Sequence, residues 1–490
     1  MNILKFKTNR KQNAYKIALS IKKSIELWLK QAYLISILKR LSSTTKIPTD
    51  IISHEIKQIL SSKFKFSEGI FTSRFLLRYL IFDSAMHLFI LFFSIIFSKN
   101  NFQTREYKII IDDIESENQA ERFYKVLELI KNSVLICKKK ILFKKEKINN
   151  FNIKVNRIFK FYNKKFLYGK KLKLFLIFFH ILFLSIKNRI NLFFIFNKIL
   201  YKIIDNETLF SQVKSKILIT DRFYKTSSIK NYIFKKNGGK VTACTQKNIC
   251  EFTISFFVNI DVFFAFGTNY PLVIKKLGGK VKKFVPAGSL AMEYFWYSRK
   301  KDLKKIPRID LLVIGLNYAN APERMYINKQ HYYNYYEQFE WLKKISSRYP
   351  QLNIILKHHD NCKRDLLEQK ILENTDVKTL YKTPSINRSY AYIFKAKQVF
   401  SFGSAMILEC ASMGKNSYFL DPNLENMSFQ KSIPAAKKIR IKNYNEFEKL
   451  VLNNMKKSNS KKIKTSNTFC LKSDKVSKRI VDYFIKNNYL

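Results

Sequence analysis

Along the second half of the chain, short runs of apolar residues alternate with longer segments in which apolar positions recur at helical spacing. The stretch 398–422 shows this alternation most clearly, because an apolar run lies on each side of a segment with helical periodicity. Within that segment Ile407 and Cys410 share one helical face, and Gly414 follows at the place where a helix ends. The pattern predicts a strand, a tight loop, a helix and a second strand, which together form one βαβ unit.

The same alternation predicts a mostly parallel sheet before a linker and a doubly wound sheet after it. Nine of the eleven glycines and eight of the nine prolines lie after residue 237, where the predicted turns are dense. The polar, basic segment 298–308 is the predicted linker. It separates a basic helical extension over 1–100 and an α/β domain over 101–297 from a second α/β domain over 309–490. The predicted strands lie at 107–111, 216–220, 240–245, 262–266, 281–285, 310–316, 353–356, 377–380, 398–401 and 416–420.

Two apolar runs lie in the first half of the chain, at 84–98 and 174–186. Both fall short of the roughly 20 residues that a membrane-spanning helix needs. Extending the first run back to Tyr79 reaches that length only by including Asp83, a residue that is costly in a bilayer. Three interpretations stay open: buried core helices, attachment to a membrane surface through phenylalanines and flanking lysines, and a true span.

The chain is strongly basic, with 91 lysines and arginines against 36 aspartates and glutamates and a formal net charge of +55. Such a charge suits anionic partners: nucleic acid, an acidic lipid surface or phosphorylated substrates. The lysines are spread from end to end, a bias that an AT-rich coding sequence also produces. The six cysteines show no metal-binding spacing and the N-terminal residues no signal-peptide hydrophobic region, so we expect a reduced, cytosolic chain.

Candidate ligand-binding groups lie at predicted carboxyl ends of strands, the edge at which open α/β sheets bind ligands. The loop 401–404 precedes a predicted helix, whose unpaired N–H groups favour phosphate or sugar hydroxyls, and Glu409 can accept hydrogen bonds from a sugar. The ordinary alternatives are a simple cap and a solvent-exposed glutamate. Lys357 and His358 offer a point charge and an imidazole to a phosphate, with residues 390–395 on the opposite wall.

Acidic side chains follow two predicted strands of the first half. Asp112 and Asp113 come after the strand 107–111, and Asp221 comes after 216–220. The pair at 112 and 113 either binds a ligand at the sheet edge or caps the next helix, and we favour the cap as the commoner role. No P-loop, nucleophile-elbow or zinc-protease motif occurs, and no D-x-D cluster in the middle of the chain is available to hold Mg²⁺.

The pattern S-x-G-S-x-x-x-x-E-x-x-x-x-G-K-x-x-x-x-x-D-P at 401–422 resembles the donor-site segment of GT-B glycosyltransferases of surface-polysaccharide and lipopolysaccharide assembly. CDP-glycerol glycerophosphotransferase-like enzymes and UDP-sugar 2-epimerases carry similar segments. The K-H-H-D sequence at 357–360 resembles their K-x-H motif, which faces the donor phosphates. One departure is that Gln246 is followed by Lys247 and Asn248, where those relatives often have Q-H-G.

The resemblance implies a GT-B-like α/β fold, with two Rossmann-like domains facing a cleft and a helical N-terminal extension. It implies that the first domain binds the acceptor and the second the nucleotide-activated donor, without a metal ion or a separate cofactor. Asp221 and Asp112 are then the acidic candidates for acceptor activation. The donor-binding candidates are Lys357, His358, Ser401, Gly403, Ser404, Glu409 and Arg324.

The function expected from this resemblance is transfer of a sugar, or a related phospho-polyol, from a nucleotide-activated donor to a lipid-linked or surface glycan acceptor. One alternative is a UDP-sugar 2-epimerase of the same fold, which needs no acceptor. Another is a non-catalytic basic protein that binds nucleic acid or a membrane surface. We expect a cytoplasmic protein, peripheral at the inner face of the plasma membrane, with an anionic lipid surface rather than nucleic acid as its partner.

Overall fold

The computed structural model of the protein describes residues 14–63, 77–99, 103–137, 152–155, 162–246, 257–268, 272–298, 300–315, 329–358, 364–381, 387–422, 439–456 and 468–490. The helices are α1 (Ala14–Leu29), α2 (Ala32–Thr45), α3 (Thr49–Lys63), α4 (Leu77–Ile96), α5 (Glu117–Arg122), α6 (Tyr124–Leu129), α7 (Lys164–Tyr168), α8 (Lys171–Lys187), α9 (Phe193–Gln212), α10 (Ser228–Lys236), α11 (Val273–Lys276), α12 (Leu290–Ser298), α13 (Lys329–Arg348), α14 (Leu366–Leu372), α15 (Asn387–Lys395), α16 (Met406–Ser412), α17 (Tyr444–Lys456) and α18 (Val476–Lys486). The strands are β1 (Ser98–Lys99), β2 (Arg105–Glu106), β3 (Ile109–Ile114), β4 (Ser133–Cys137), β5 (Asn152–Val155), β6 (Tyr162–Asn163), β7 (Val213–Lys214), β8 (Ile217–Thr220), β9 (Val241–Thr245), β10 (Asn259–Ala265), β11 (Lys280–Pro286), β12 (Ile309–Ile314), β13 (Ile354–Lys357), β14 (Lys378–Leu380), β15 (Ala396–Ser401), β16 (Asn416–Leu420) and β17 (Arg440–Ile441).

The first large sheet has the strand order β11-β10-β9-β8-β3-β4-β5, and all its strands are parallel. From the middle of the sheet, β3, β4 and β5 follow one another toward one edge, and β8 to β11 follow one another toward the other edge. The strand order therefore reverses between β3 and β8. Because the sheet is covered on both faces, its strands read as continuous apolar runs, as at Ile109, Ile110 and Ile111, all fully buried. We call this sheet and the helices packed on it the first unit.

The second large sheet has the order β14-β13-β12-β15-β16-β17, again all parallel. Numbered along the chain this is 3-2-1-4-5-6, the doubly wound dinucleotide-binding order, with its reversal between β12 and β15. This sheet and its helices form the second unit. The two parallel sheets confirm the predicted fold class of two Rossmann-like units.

The βαβ unit predicted at 398–422 is confirmed as β15, α16 and β16. Gln398 pairs with Asn416 and Phe400 with Tyr418 in a parallel register. Gly414 has φ of 73°, a left-handed conformation that favours glycine after a helix. The tight turn between helix and strand thus depends on this glycine.

The N-terminal helices pack onto the first unit rather than standing apart from it. Side chains of α2 and α3, among them Leu34 and Ile56, share one core with Ile181 of α8, Ile199 of α9 and Leu218 of β8. A layer of helices from 14–63, 77–96 and 164–212 therefore covers one face of the first sheet.

The last helix of the chain also packs on the first unit. Val476, Ile480 and Phe484 of α18 are fully buried against a core that includes Ile111 and Phe264. The domain boundaries predicted from the sequence assigned this helix to the second domain, because it lies after the linker along the chain. Its apolar face instead completes the first sheet's core. The predicted linker contains a short 3-10 helix, Lys300–Lys305.

Candidate functional site

The strand reversal of the second sheet places the Gly/Ser loop beside the end of β12. Ile314 and Ser401 are paired in register, so the residues after both strands lie at the same edge. The Ser401 hydroxyl donates to the Ile314 carbonyl at 2.7 Å and accepts from the N–H groups of Gly403 at 3.3 Å and Ser404 at 3.1 Å. Ser404 Oγ in turn accepts from the Met406 N–H at 3.3 Å. Both serines thus hold the shape of this turn.

A buried histidine lies at the end of the neighbouring strand, β13. His358 Nε2 lies 2.7 Å from a carboxylate oxygen of Glu368, and both side chains are 1% exposed. The imidazole also stacks on Tyr381, with ring centres 5.0 Å apart, while the Tyr381 hydroxyl donates to Glu368 at 3.0 Å. The contacts with Glu368 and Tyr381 together fix the orientation of the ring.

The second nitrogen of this histidine faces the backbone after β12. A Cβ atom added to Gly315 would lie 2.4 Å from His358 Nδ1, so only glycine leaves room for the ring. Nδ1 is buried and has no hydrogen-bond partner among the described residues. The preceding Lys357 is buried as well and donates to the His358 carbonyl at 3.0 Å. Arg324, a weaker donor-binding candidate, lies outside the described residues.

Glu409 is buried rather than exposed on a solvated helix face. The Tyr390 hydroxyl donates to it at 2.8 Å, and the Ser289 hydroxyl donates as well. Burial raises the pKa of Glu409, and the two hydrogen bonds lower it. Burial is the larger effect, so the pKa lies above its ordinary value. The ionised carboxylate is therefore disfavoured in the folded protein, a common feature of functional carboxyls.

Residues from both units meet at Glu409. Ser289 follows β11 and begins α12, and Arg122 lies on α5, which follows β3. Both therefore stand beyond carboxyl ends of the first sheet, and the Arg122 charge acts on the Glu409 carboxylate. Arg122 Nε is buried without a partner in the described part of the chain. The carboxyl edges of the two sheets thus approach one another here.

The strand reversal of the first sheet carries a set of buried charges. Asp112 forms an ion pair with Lys230 of α10, and each side chain is 9% exposed. Lys230 also lies 3.4 Å from the Thr220 hydroxyl. Asp113 has φ of 71° and accepts from Arg222 Nε at 2.6 Å. The reversal of this sheet therefore holds alternating acidic and basic groups.

These contacts correct one expectation. We favoured a helix-capping role for Asp112 and Asp113, but the residue before α5 is Ser116, and neither aspartate caps that helix. They lie within β3 and pair across the sheet edge with cations that follow β8, at positions the linear sequence does not bring together.

Asp221, the other acidic candidate, is buried directly after β8. Its N–H donates to the Asp112 carbonyl at 3.0 Å, and its own carbonyl accepts from the Thr245 hydroxyl at 2.6 Å. The structure therefore brings Asp112 and Asp221 together at one sheet edge, with their backbones joined.

Sequence reasoning missed several residues of these sites. Glu368 and Tyr381 lie on α14 and after β14, and nothing in their local sequence marks them as partners of His358. Ser289 lies in the turn after β11, and its contact with Glu409 depends on how the two units pack. Arg122 carried no signal at all, since a lone arginine on a short helix is ordinarily solvated. Among the described residues, no three histidine, cysteine or acidic side chains are grouped as metal ligands.

The fold and these sites define a protein of two doubly wound α/β units whose polar groups gather at both strand reversals. No protein-family model and no curated protein matches the chain. Among solved structures it is similar to the UDP-GlcNAc 2-epimerase from Neisseria meningitidis bound to UDP-GlcNAc, at 10% identity over 78% of this chain and 100% of that one, with a TM-score of 0.47.

Two further solved structures are similar to it. One is a mutant O-GlcNAc transferase of Thermobaculum terrenum, 10% identical over 96% of this chain and 83% of that one, with a TM-score of 0.39. The other is the wall teichoic acid polymerase TagF, 7% identical over 89% of this chain and 97% of that one, with a TM-score of 0.42. At these identities the likeness concerns the fold alone.

Proposed function

We propose that the protein is a glycosyltransferase that moves a sugar, or a related phospho-polyol, from a nucleotide-activated donor to a lipid-linked or surface glycan acceptor. The observation that carries the proposal is the crowding of polar groups at the strand reversal of the second sheet. Gly315, the 401–404 turn, Lys357 and His358 follow three adjacent strands there. In doubly wound sheets this crevice is where nucleotides bind.

The chemistry of these groups suits a diphosphate. Lys357 supplies a cation, and His358 is oriented by Glu368 so that Nδ1 faces the same edge. Arg122 of the first unit, whose charge acts on Glu409, adds a cation near the helix that follows the 401–404 turn. Fixed cations of this kind stabilise the charge that develops on a leaving nucleoside diphosphate, a role for which no metal ion is needed.

The acceptor side of the proposal rests on the first unit. During transfer the acceptor hydroxyl forms the new bond to the sugar carbon while the bond to the diphosphate breaks, and the hydroxyl proton passes to a base. Asp221 and Asp112 are the carboxylates at the strand reversal of the first sheet, and they are our candidates for that base. Of the two, Asp112 is ion-paired with Lys230 of α10.

A thermal-shift screen with UDP-, GDP-, CMP- and CDP-linked donors tests donor binding. We expect one donor class to raise the melting temperature by a few degrees, since a ligand at 100 times its Kd stabilises by about 2.7 kcal/mol. Glu409→Gln and Ser404→Ala should each abolish that shift. Because the raised pKa of Glu409 reflects a carboxylate that is costly to ionise when buried, its glutamine variant should fold at neutral pH at least as stably as the parent.

Exposed residues of the second unit provide matched controls. Glu446→Gln and Ser347→Ala make the same chemical changes at exposed positions and should keep the donor shift. Conversion of a free UDP-sugar to its 2-epimer without any acceptor, followed by NMR, would favour the epimerase instead. No shift with any donor, together with salt-sensitive binding to polyanions, would favour the non-catalytic binder.

Gly315→Ala tests the space beside His358 without altering any ionisable group. The new methyl group would meet Nδ1 at 2.4 Å, so the ring must move away from Glu368. We expect the donor-induced shift to fall by at least half while the protein remains folded. Gly169→Ala is the matched control, because nothing lies within 4 Å of its added carbon. An unchanged donor shift in Gly315→Ala would exclude His358 from the donor site.

A further inference from the structure

The helices α4 and α8 expose apolar side chains that recur every three or four residues on each helix. Their exposed fractions run from 37% for Phe93 to 72% for Leu172. We call these ten side chains the apolar face: Phe82, Met86, Phe89, Phe93 and Ile96 on α4, and Leu172, Leu176, Phe179, Phe183 and Ile186 on α8. Monomeric soluble proteins rarely expose so many large apolar side chains on neighbouring helices.

The two helices run antiparallel, so their exposed stripes lie side by side. Phe92 packs on Phe175 with ring centres 5.2 Å apart, near the end of α4 and the start of α8. At the opposite end, Asp83 accepts a hydrogen bond from Asn191, just beyond α8, at 2.6 Å. Together the stripes form one continuous surface about 25 Å long, the length of the 17-residue α8.

The other side of α4 is fixed to the protein by polar contacts. His87 Nδ1 lies 2.6 Å from the Asn197 side chain of α9, and the Asn197 amide donates to the Asp83 carbonyl at 2.7 Å. By length and composition Tyr79–Ile96 is the one described helix that passes as a membrane span, with mean hydropathy 1.9 and 22% of the stretch buried. Crossing a bilayer would separate α4 from α9 and leave these buried polar groups without partners.

Basic side chains stand at both ends of the apolar face. Lys171 and Lys173 are exposed at the start of α8, and Lys187 and Arg189 are exposed at and just beyond its end. A helix lying flat on a membrane brings both of its ends to the headgroups of the same leaflet. The distribution of charge therefore complements an anionic lipid surface in a flat orientation.

We infer that the apolar face docks on the surface of an anionic lipid bilayer. Its phenylalanines, leucines and isoleucines enter the boundary between headgroups and acyl chains, and the four basic residues at its ends contact the headgroups. The inference stands independently of the donor site. It goes beyond the proposed function by assigning the contact with the membrane to two helices of the first unit.

Sedimentation of the full chain with vesicles tests this docking. We expect binding to phosphatidylglycerol–phosphatidylcholine vesicles, and much weaker binding to phosphatidylcholine alone. Changing Lys171, Lys173 and Lys187 together to Glu should weaken binding by about 100-fold or more, because each lysine contributes about a fivefold factor near an anionic surface. The control changes Lys370, Lys378 and Lys449 to Glu, which alters the net charge equally at exposed sites of the second unit.

A second set of variants tests the apolar contact separately. Phe89, Phe179 and Phe183 are all more than half exposed, so changing them together to Glu should preserve folding, which circular dichroism checks. The triple variant should lose vesicle binding at high salt, where the charges are screened. Its control changes Leu272, Leu366 and Ile485, each at least half exposed and outside the apolar face, to Glu.

Three outcomes would overturn the inference. The first is that the lysine and phenylalanine triple variants both bind vesicles as strongly as their controls do. Another is resistance of the bound protein to alkaline carbonate, which would mean that α4 spans the bilayer. The third is a dimer in sedimentation equilibrium that the phenylalanine variants dissociate, which would make the face a contact between two copies of the chain.

Discussion

Lys230→Met is expected to lower the free energy of unfolding of the first unit by about 3–5 kcal/mol. The substitution keeps the length of the side chain but leaves the Asp112 carboxylate buried without its cation. Breaking a buried ion pair on one side costs far more than the pair itself contributes, because the remaining charge stays desolvated. Urea unfolding measures the loss, and hydrogen exchange at residues 109–111 reports the first unit separately.

The double variant Asp112→Asn/Lys230→Met is the control for this prediction. With both charges gone, most of the lost stability should return, because no buried charge is left uncompensated. If Asp112 also serves acceptor activation, transfer activity should stay low in the double variant although its stability recovers. If Lys230→Met alone lowers the free energy of unfolding by less than about 1 kcal/mol, other groups must stabilise the charge of the Asp112 carboxylate.

Glu55→Ala is expected to destabilise the first unit by about 3 kcal/mol. Glu55 lies on α3 and is fully buried, where it accepts from the Ser227 hydroxyl at 2.7 Å and the Ile229 N–H at 3.1 Å and pairs with Lys202. It thereby caps the N-terminus of α10, the helix that carries Lys230. Its removal leaves buried donors unpaired at the start of that helix.

The same residue gives the stability a dependence on acid pH. Burial pushes the pKa of Glu55 upward, but Lys202 and the two hydrogen bonds outweigh burial and hold it below the ordinary 4.5. Its contribution is therefore complete above pH 4.5 and is lost as the pH falls from there through the folded-state pKa. Glu55→Gln, which keeps an acceptor but not the charge, should flatten this part of the pH–stability curve. An unchanged curve in that variant would contradict the assignment.

The sequence was most informative where local rules and the fold agree. Each strand predicted after residue 200 is present, because a parallel strand buried on both faces reads as a short apolar run bounded by turn residues. Gly414 is an example of such a turn residue, since its positive φ is one that few others adopt. The strands β4 and β5 were missed. For β4 the reason is that the apolar run 134–136 follows a helical pattern directly.

The contacts of the candidate site were predictable only in part. The edge positions of Lys357, His358 and the 401–404 turn follow from strand ends, which sequence periodicity locates. The partners Glu368, Ser289 and Arg122 depend on strand order and on the packing of two units, which periodicity does not encode. The two apolar runs of the first half were equally ambiguous, because α4 and α8 are apolar on their buried and exposed faces alike.

The return of α18 to the first sheet constrains how the protein is made. Val476, Ile480 and Phe484 complete a core whose other members, such as Ile111, are synthesised more than 350 residues earlier. On the ribosome, one face of the first sheet is therefore only partly covered while the second unit emerges and folds. Ribosome-bound chains that end before residue 476 should expose the uncovered part of this face to chaperones, and its protection should come only once α18 has left the ribosome and packed on the sheet.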